Sequence, residues 1–371
     1  MFKDILLGDK YRLIAISDIH GNLQSLERVL KEADFNEKND ILIIVCDILE
    51  KGSEILGALR YVMNLVKTTN THVVLGNCDT VLMDIFKNEI HDEIKEYIFW
   101  MKKNVLLEMC HEIDFEVSKD MDMLDLYKKL NENFKEEIAF INNLPIAMET
   151  EEFIFAHAGV EPRENYRNSK YEYVIAHDRF YEEEYKFPKK VIVGHWPVAL
   201  YFQDRFDLNP IIDNDKNIFC IDGANSVAPY GQLNALILEK DDDLKISYVC
   251  VDDLKEVEVV KDQQGTKGIK IIFPYNKFKM ISEDDQYVKG RLKAYSKSGF
   301  IPEGLENLVV SIPKNLIYEK DGKIYSHEFM NEFLDLKKGD KVKVAFDSGD
   351  DVLICKFKGK IALARREILQ I

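Results

Sequence analysis

Residues 11–22 read YRLIAISDIHGN, an apolar run that ends abruptly in a polar loop. The first seven positions, Tyr11–Ser17, carry the aliphatic side chains typical of a buried strand. After the loop, Leu26, Val29 and Leu30 recur at helical spacing. The stretch therefore predicts a strand, a loop that carries Asp and His, and a helix.

The same plan recurs in the next stretch of the chain. Residues 41–46 (ILIIVC) form a near-continuous apolar run followed by Asp47, and a helical pattern covers about 53–66. A third strand-type run at 72–75 leads into GNCD at 76–79. Strands that alternate with helices predict βαβ units and a mostly parallel sheet. Because the strands are continuously apolar, we expect both faces of that sheet to be covered.

A long charged stretch with helical pattern separates these units from the later strands. It covers 81–143, and we interpret it as a helical insertion within one α/β unit. The strand-type runs that follow it are 153–156, 191–193, 218–221, 233–238 and 245–251.

A domain boundary is predicted where turn-forming and polar residues cluster, at 262–268 (DQQGTKG). We therefore expect a first domain over 1–262 and a second over 263–371. Short strands with tight turns, at 341–346, 352–357 and 361–364, predict that the second domain is small and mainly β. It carries no catalytic constellation of residues.

Composition restricts the classes of protein that fit. The chain has 371 residues, 46% apolar and 31% charged, which is enough to bury a substantial core. Its apolar runs fall far short of the roughly 18 residues that a membrane helix needs. Residues 1–12 lack the pattern of a signal peptide, and the six cysteines form no CxxC pair. We therefore expect a cytoplasmic protein with no membrane partner. The net charge of −16 makes long nucleic acid an unfavourable partner.

Metal-binding types of side chain recur directly after predicted strands. Ligands of open α/β sheets bind beyond the carboxyl ends of the strands, so these side chains should meet at one edge. A single His or Asp in such a place is more often structural, and the argument depends on their joint occurrence. Oxygen and imidazole donors together suit a pair of divalent transition ions such as Mn, Fe or Zn. The six candidates are Asp18, His20, Asp47, Asn77, His157 and His195.

These motifs resemble those of the calcineurin-like metallophosphoesterases. The resemblance covers roughly residues 11–240. The motifs that carry it are DIHGN at 18–22, Asp47 with Gly52, GNCD at 76–79, HAG at 157–159 and GH at 194–195. Three further motifs are most similar to the branch that holds serine/threonine protein phosphatases and symmetrical diadenosine tetraphosphatases: LP at 144–145, GHWP at 194–197 and IDG at 221–223.

The resemblance implies an α/β (α+β) fold, a four-layer-type metallophosphoesterase β-sandwich flanked by helices, with the helical insertion and the C-terminal mainly-β domain added to it. It implies two divalent metal ions, Mn²⁺ first, with Fe, Zn, Ni or Co as alternatives. Asp18 and His20 would hold the first ion, and Asp47 would bridge both, because two close dications need an anion between them. Asn77, His157 and His195 would hold the second ion. A hydroxide shared by the ions would then attack phosphorus directly.

The chain departs from the family pattern near the phosphate. Lys51 stands where an Arg would clamp the substrate phosphate, and it offers a point charge without the bidentate fork. Cys78 replaces the His that protonates the leaving oxygen, and a thiol is a poorer donor. Asp79 is an alternative proton donor. Arg179 lies where the tetraphosphatase-like branch has a phosphate-binding Arg. Asp222 could support a ligand histidine or could serve the turn before Gly223.

The function predicted is a binuclear-metal phosphoesterase, similar to a serine/threonine protein phosphatase, that acts on a phosphorylated protein or nucleotide. Cys78 leaves open a symmetrical dinucleoside polyphosphate hydrolase or a nucleotide phosphodiesterase, since nucleotide leaving groups need less protonation. A third hypothesis is a regulatory scaffold with a weakly active core, in which the C-terminal module binds a protein partner.

Overall fold

The computed structural model describes residues 2–87, 92–202, 204–272, 276–293 and 308–371. It divides into two compact units, one of Met1–Val198 with Asn209–Asp252 and one of Ala199–Leu208 with Asp253–Ile371. The division follows residue 252 rather than 262, because the strand Lys255–Glu258 pairs with Lys341–Phe346 of the second unit. Among the described residues, no helix has the length and apolar character needed to cross a bilayer.

The strands of the first unit supply two sheets. Their bounds are β1 (Phe2–Asp4), β2 (Tyr11–Ser17), β3 (Ile41–Val45), β4 (Thr71–Val74), β5 (Ala147–Glu149), β6 (Phe153–Ala156), β7 (Lys190–Val193), β8 (Ile211–Asp213), β9 (Ile218–Cys220), β10 (Leu233–Lys240) and β11 (Leu244–Val251).

The helices described in this unit are α1 (Leu23–Glu32), α2 (Ile55–Thr68), α3 (Val81–Lys87), α4 (Asp92–Trp100), α5 (Val105–Glu112), α6 (Met123–Asn133), α7 (Lys135–Asn142) and α8 (Tyr171–Ala176). The stretch predicted as an insertion forms α3 to α7. Their apolar faces share one core with α1 and α2, and that core includes Leu59, Leu106 and Leu130.

The two sheets are mixed. The first has the order β11-β10-β2-β3-β4. In it β2, β3 and β4 run parallel to one another, and β10 pairs antiparallel with both β2 and β11. The second has the order β1-β5-β6-β7-β9-β8, and β6, β7 and β9 are its parallel centre. The prediction of βαβ units is confirmed for β2 to β4. The prediction of a mostly parallel sheet holds only for the centres of the sheets, because antiparallel strands complete both.

The continuous apolar character of the central strands is explained by two separate cores. Leu13, Ala15 and Ile43 point to the second sheet, where they meet residues such as Phe155 and Ile192. The alternate positions of the same strands face the helices, since successive side chains of a strand point to opposite faces. The structure thus has a β-sandwich flanked by helices, as expected.

The second unit is rich in strands. They are β12 (Lys255–Glu258), β13 (Lys270–Ile271), β14 (Lys277–Glu283), β15 (Tyr287–Lys293), β16 (Val309–Pro313), β17 (Ile317–Lys320), β18 (Lys323–Ser326), β19 (Phe329–Phe333), β20 (Lys341–Phe346), β21 (Val352–Phe357) and β22 (Lys360–Arg365). They form one sheet of order β12-β20-β21-β22-β19-β13 and one of order β16-β15-β14-β18-β17. The mainly-β character expected of this part of the chain is confirmed.

Candidate metal centre

The polar loops after the central strands meet at one place. One donor atom each of Asp18, Asp47 and His157 lies within 4.8 Å of the others, and the same holds for His20, Asp47 and Cys78. Asp47 belongs to both groups. These loops follow β2, β3 and β4 of the first sheet and β6 of the second. The carboxyl edges of both sheets therefore contribute to the same cluster.

The two carboxylate oxygens of Asp47 face different histidines. Its Oδ1 lies 3.4 Å from Nε2 of His157, and its Oδ2 lies 3.9 Å from Nε2 of His20. The Nε2 of His20 also lies 3.8 Å from Oδ1 of Asp18. A carboxylate between two sets of donors has the arrangement that a bridging ligand needs.

The remaining candidates gather around one amide oxygen. Asn77 Oδ1 lies 3.0 Å from His157 Nε2 and 2.9 Å from His195 Nδ1. The backbone N–H of His195 donates to Asp18 Oδ2 at 3.1 Å, which ties this end of the cluster to the first. The structure thus brings all six sequence-predicted ligands into one site.

Backbone strain is concentrated in the loops that carry these side chains. Asp18, His20 and His195 have φ values of 51°, 48° and 63°, in the left-handed region that non-glycine residues seldom occupy. Each such residue costs about 1–3 kcal/mol unless the surroundings hold it. Here the His20 N–H donates to the Asp47 carbonyl at 3.0 Å. Strain of this kind is typical of functional sites.

Two glycines allow the backbone to approach the carboxylates. A Cβ at Gly76 would lie 2.2 Å from Asp47 Oδ1, and a Cβ at Gly194 would lie 2.1 Å from Asp18 Oδ2. Both distances are far inside van der Waals contact. The Gly before Asn77 and the Gly before His195 are therefore required by the carboxylates that pack against them.

Burial makes the cluster electrostatically costly without cations. Burial raises the pKa of Asp18 well above its usual value, and the charges of Asp222 and Asp47 raise it further. Burial lowers the pKa of His20 to about 3, and Lys51 contributes to the shift. The imidazole is thus neutral and the carboxylates repel one another. Buried charges of this kind are paired or coordinate metals.

The donor set fits divalent transition ions. Carboxylate oxygens, neutral imidazoles and an amide oxygen are suitable ligands for Mn, Fe and Zn. His20 Nδ1 lies 3.2 Å from the carbonyl of Leu49, to which it can donate. That hydrogen bond leaves Nε2 as the lone-pair nitrogen that faces Asp18 and Asp47, an orientation common for metal-ligating histidines.

Lys51 contributes a positive charge inside the cluster. Its Nζ lies 3.1 Å from His20 Nε2, and Glu50 and Lys51 have φ values of 72° and 67°. The Lys51 N–H donates to the carbonyl of Lys103 at 3.0 Å, which anchors this loop to the helical insertion. The Lys51 ammonium therefore lies beside the predicted metal ligands.

Cys78 lies beside Asp47, as its place in the motif requires. Its N–H donates to Asp47 Oδ1 at 2.9 Å, and its Sγ belongs to the donor group with His20. Burial raises the pKa of the thiol well above its usual value, and Asp47 adds to the shift. The side chain is therefore a neutral thiol in the metal-free protein. Sequence reasoning did not include Cys78 among the metal donors, although its sulfur is placed with them.

Asp79 makes backbone hydrogen bonds with both of its oxygens. Oδ1 accepts from the N–H groups of Ile48 and Leu49, both at 3.0 Å, and Oδ2 accepts from Gly76 at 3.1 Å. Burial raises the pKa of this carboxyl group to about 7, and Asp47 contributes. The contacts make Asp79 a positioning residue that holds the Asp47 and Asn77 loops together.

Arg179 lies at the His195 side of the cluster. Its guanidinium is 5.8 Å from the ring centre of Trp196, and its Nε donates to Glu182 at 2.7 Å. The preceding residue, Asp178, places Oδ1 3.4 Å from His195 Nε2. Sequence reasoning missed Asp178, although it adjoins Arg179 in the motif HDRF at 177–180.

Two residues near the Asp18 loop form side-chain hydrogen bonds with backbone groups. Asp222 Oδ1 accepts from the Ala224 N–H at 2.7 Å, which is the turn role among the two alternatives for this residue. Asn225 Nδ2 donates to the carbonyl of Ile19 at 2.7 Å. Sequence reasoning missed Asn225, and no local pattern distinguishes it from other turn residues.

The family of the chain follows from comparison with known proteins. A model of the calcineurin-like phosphoesterases matches residues 11–209, more than half of the 371 residues. The chain belongs to the calcineurin-like phosphoesterase family.

Curated relatives match over shorter stretches. A symmetrical bis(5'-nucleosyl)-tetraphosphatase of Buchnera aphidicola is 33% identical over 82 residues, 22% of this chain and 29% of the relative. One of Legionella pneumophila is 30% identical over 134 residues, 29% of this chain and 48% of the relative. The chain thus spans less than half the length of these two relatives. A solved serine/threonine phosphatase of Saccharomyces cerevisiae is 10% identical with a TM-score of 0.39, over 68% of this chain and 86% of that one.

Proposed function

We propose that this chain is a phosphoric ester hydrolase that depends on two divalent metal ions, with Mn²⁺ as the first candidate. The observation that carries the proposal is the position of Asp47, whose oxygens lie 3.4 Å and 3.9 Å from nitrogens of His157 and His20. Asp18 and His20 would hold one ion, and Asn77, His157 and His195 the other. Bound ions of this kind lower the pKa of a water and offset the charge of a phosphate.

The protein groups around the ions would bind and orient the phosphate. Lys51 would supply a cation beside the phosphate oxygens, and Arg179 would contact a second phosphate or the far side of the first. Asp79 would keep the loops of Asp47 and Asn77 in register through its three backbone hydrogen bonds. The ligands would thus be held rigidly before the substrate arrives.

The substrate class favoured is a dinucleoside polyphosphate. Cys78, at the place of the proton donor, is a neutral thiol and a weak hydrogen-bond donor. Cleavage of a phosphoanhydride releases a stabilised phosphate and needs little protonation, whereas cleavage of phosphoserine releases an alkoxide. The tetraphosphatases among the relatives agree with this assignment. The serine/threonine phosphatase reading remains the second candidate, supported by the same metal ligands.

A panel of substrates tests the proposal. The purified protein would be assayed with Mn²⁺, Co²⁺, Ni²⁺, Mg²⁺ and Zn²⁺ on four substrates: diadenosine tetraphosphate, p-nitrophenyl phosphate, bis-p-nitrophenyl phosphate and a phosphoserine peptide. We expect metal-dependent turnover that is fastest on diadenosine tetraphosphate. Faster turnover of the phosphoserine peptide would reverse the order of the two candidates. No turnover of any substrate by metal-loaded protein would favour the scaffold hypothesis.

A further inference from the structure

Trp100 lies exposed at the end of α4, in a segment tied to the metal centre. Its side chain is 75% exposed, an unusual state for the largest apolar side chain of a folded protein. Its ring centre is 6.5 Å from that of Tyr97, which precedes it by three positions. Residues three apart on a helix share a face, so both aromatic rings lie on the same side of α4.

Hydrogen bonds connect this segment to the loop of Lys51. The Lys51 N–H donates to the Lys103 carbonyl at 3.0 Å, three residues beyond Trp100. The Val105 N–H donates to Glu50 Oε1 at 3.3 Å. Through Lys51, whose Nζ is 3.1 Å from His20 Nε2, the segment reaches the metal ligands.

Tyr97 provides a second connection on the same face of the helix. Burial raises the pKa of its phenol, and the carboxylate of Glu50 raises it further. The charge of Asp47 also acts on it, so Tyr97 lies within electrostatic reach of the proposed bridging ligand. Tyr97, whose phenol is hydrogen-bonded to the Glu50 carboxylate, thus joins the part of α4 that carries Trp100 to the loop of Lys51.

An exposed aromatic ring in the segment that anchors the Lys51 loop suits one chemical group in particular. Nucleobases stack on exposed tryptophans, and stacking tolerates any base. The net charge of −16 disfavours long nucleic acid but not a small nucleotide held by metal ions. We propose that Trp100 stacks on a nucleobase of the substrate while the phosphates are bound at the metal centre. The inference rests on the proposed function and adds the residue that selects nucleotides.

Fluorescence measures the contact without turnover. The chain has two tryptophans, Trp100 and Trp196, so the variant Trp196→Phe leaves Trp100 as the only indole. We expect ADP, added to the Mg²⁺-loaded variant, to quench the emission in a saturable manner, and pyrophosphate to leave it unchanged. ADP binding detected by calorimetry without a change in emission would overturn the proposal. So would the absence of ADP binding, or quenching by a phosphoserine peptide but not by ADP.

Kinetics test the same contact in the reaction. Loss of a stacked base costs about 1–3 kcal/mol, which corresponds to roughly 5- to 150-fold in binding. Trp100→Ala should raise the ratio of KM for diadenosine tetraphosphate to KM for p-nitrophenyl phosphate by about tenfold or more, and Trp100→Phe should restore most of it. Phe99→Ala is the matched control on the same helix and should leave the ratio unchanged. An unchanged ratio in Trp100→Ala would refute the stacking role.

The two experiments separate this inference from the proposed function. If wild-type protein cleaves none of the four substrates but ADP quenches Trp100, the hydrolase proposal fails and the base contact stands. If wild-type protein cleaves diadenosine tetraphosphate but Trp100→Ala keeps its KM ratio, the base contact fails and the hydrolase proposal stands.

Discussion

Replacement of Asp47 by Asn isolates the charge of the proposed bridge. The amide has nearly the shape of the carboxylate, and its oxygen can still accept the Cys78 N–H bond that is now 2.9 Å long. What disappears is one negative charge, located 3.4 Å and 3.9 Å from the nitrogens of two proposed ligands. The variant therefore changes electrostatics more than packing.

The expected loss of metal affinity is large. Two unit charges about 4 Å apart interact by about 4 kcal/mol at an effective dielectric constant of 20. That energy corresponds to nearly a thousandfold in affinity. Because two dications would share the carboxylate, this figure is a lower estimate for both together. We expect Asp47→Asn to lose bound metal on gel filtration and to fall below one tenth of wild-type turnover.

The thermal stability of the metal-free protein should not fall when Asp47 is replaced by Asn. The charge of Asp47 contributes to the raised pKa of Asp18, so the two buried carboxylates repel each other in the absence of cations. Removal of one charge should leave the thermal unfolding temperature of the metal-free variant equal to or above that of wild type. A variant that is merely misfolded would unfold at a lower temperature.

Asp40→Asn provides the matched control. Asp40 is also buried, and it precedes β3, whereas Asp47 follows that strand. It pairs with Arg12 at 2.5 Å, at the opposite end of the strand from the metal centre. This variant should lose stability and keep its metal. Metal content measured by mass spectrometry decides the matter: if Asp47→Asn retains wild-type metal and more than a tenth of the activity, the bridging role is refuted.

Three further variants test neighbouring parts of the argument. Cys78→His should raise turnover of alkyl phosphate monoesters, because imidazole protonates a leaving alkoxide better than a thiol does; an unchanged rate would contradict a limiting proton transfer. Gly194→Ala should reduce metal content and destabilise the protein by about 1–3 kcal/mol, since its Cβ would lie 2.1 Å from Asp18 Oδ2. Gly8→Ala is the control, because the atom nearest to a Cβ at this position would lie 3.6 Å away. Equal melting temperatures of the Gly194→Ala and Gly8→Ala variants would refute the steric account. Burial raises the pKa of Glu50 to about 7 from 4.5. Since the folded state then holds the proton more tightly, the metal-free protein should lose stability as pH rises from about 4.5 to 7, and Glu50→Gln should reduce that slope in denaturant titrations.

The long strands and the order of the polar loops could be predicted because they depend on local pattern. Ile41–Val45 is apolar at every position, and such a run has few alternatives to a covered central strand. Three short strands were missed, because three residues carry too little periodicity to identify a strand. They are Phe2–Asp4, Ala147–Glu149 and Ile211–Asp213. The strands at 277–283, 287–293 and 309–313 were missed as well. In Tyr287–Lys293 buried and exposed positions alternate, but one buried position is Gly290, so the sequence shows only Val288 and Leu292 in the apolar pattern. Lys277–Glu283 is mostly exposed and shows no alternation.

The site, like the fold, could be predicted only in part. The residue types at the sheet edge could be predicted, because the residues that directly follow parallel strands lie at the carboxyl edge of the sheet. Three contacts could not be predicted: those of Asp79 with backbone N–H groups, that of Asp178 with His195, and the hydrogen bond from the Lys51 N–H to the Lys103 carbonyl. Each of these contacts joins segments that are distant in the chain, and the packing of loops on one another determines them. The cytoplasmic location and a protein partner for the C-terminal unit stay predictions.

The amino-acid sequence alone determined the identity of the donors and their order along the chain, since strands end where apolar runs give way to Asp, Asn and His. Only the tertiary structure decided that Asp47 turns one oxygen to His157 and the other to His20. The reason is that the two histidines follow strands of different sheets, β2 and β6, and the distance between them is set by the packing of one sheet on the other.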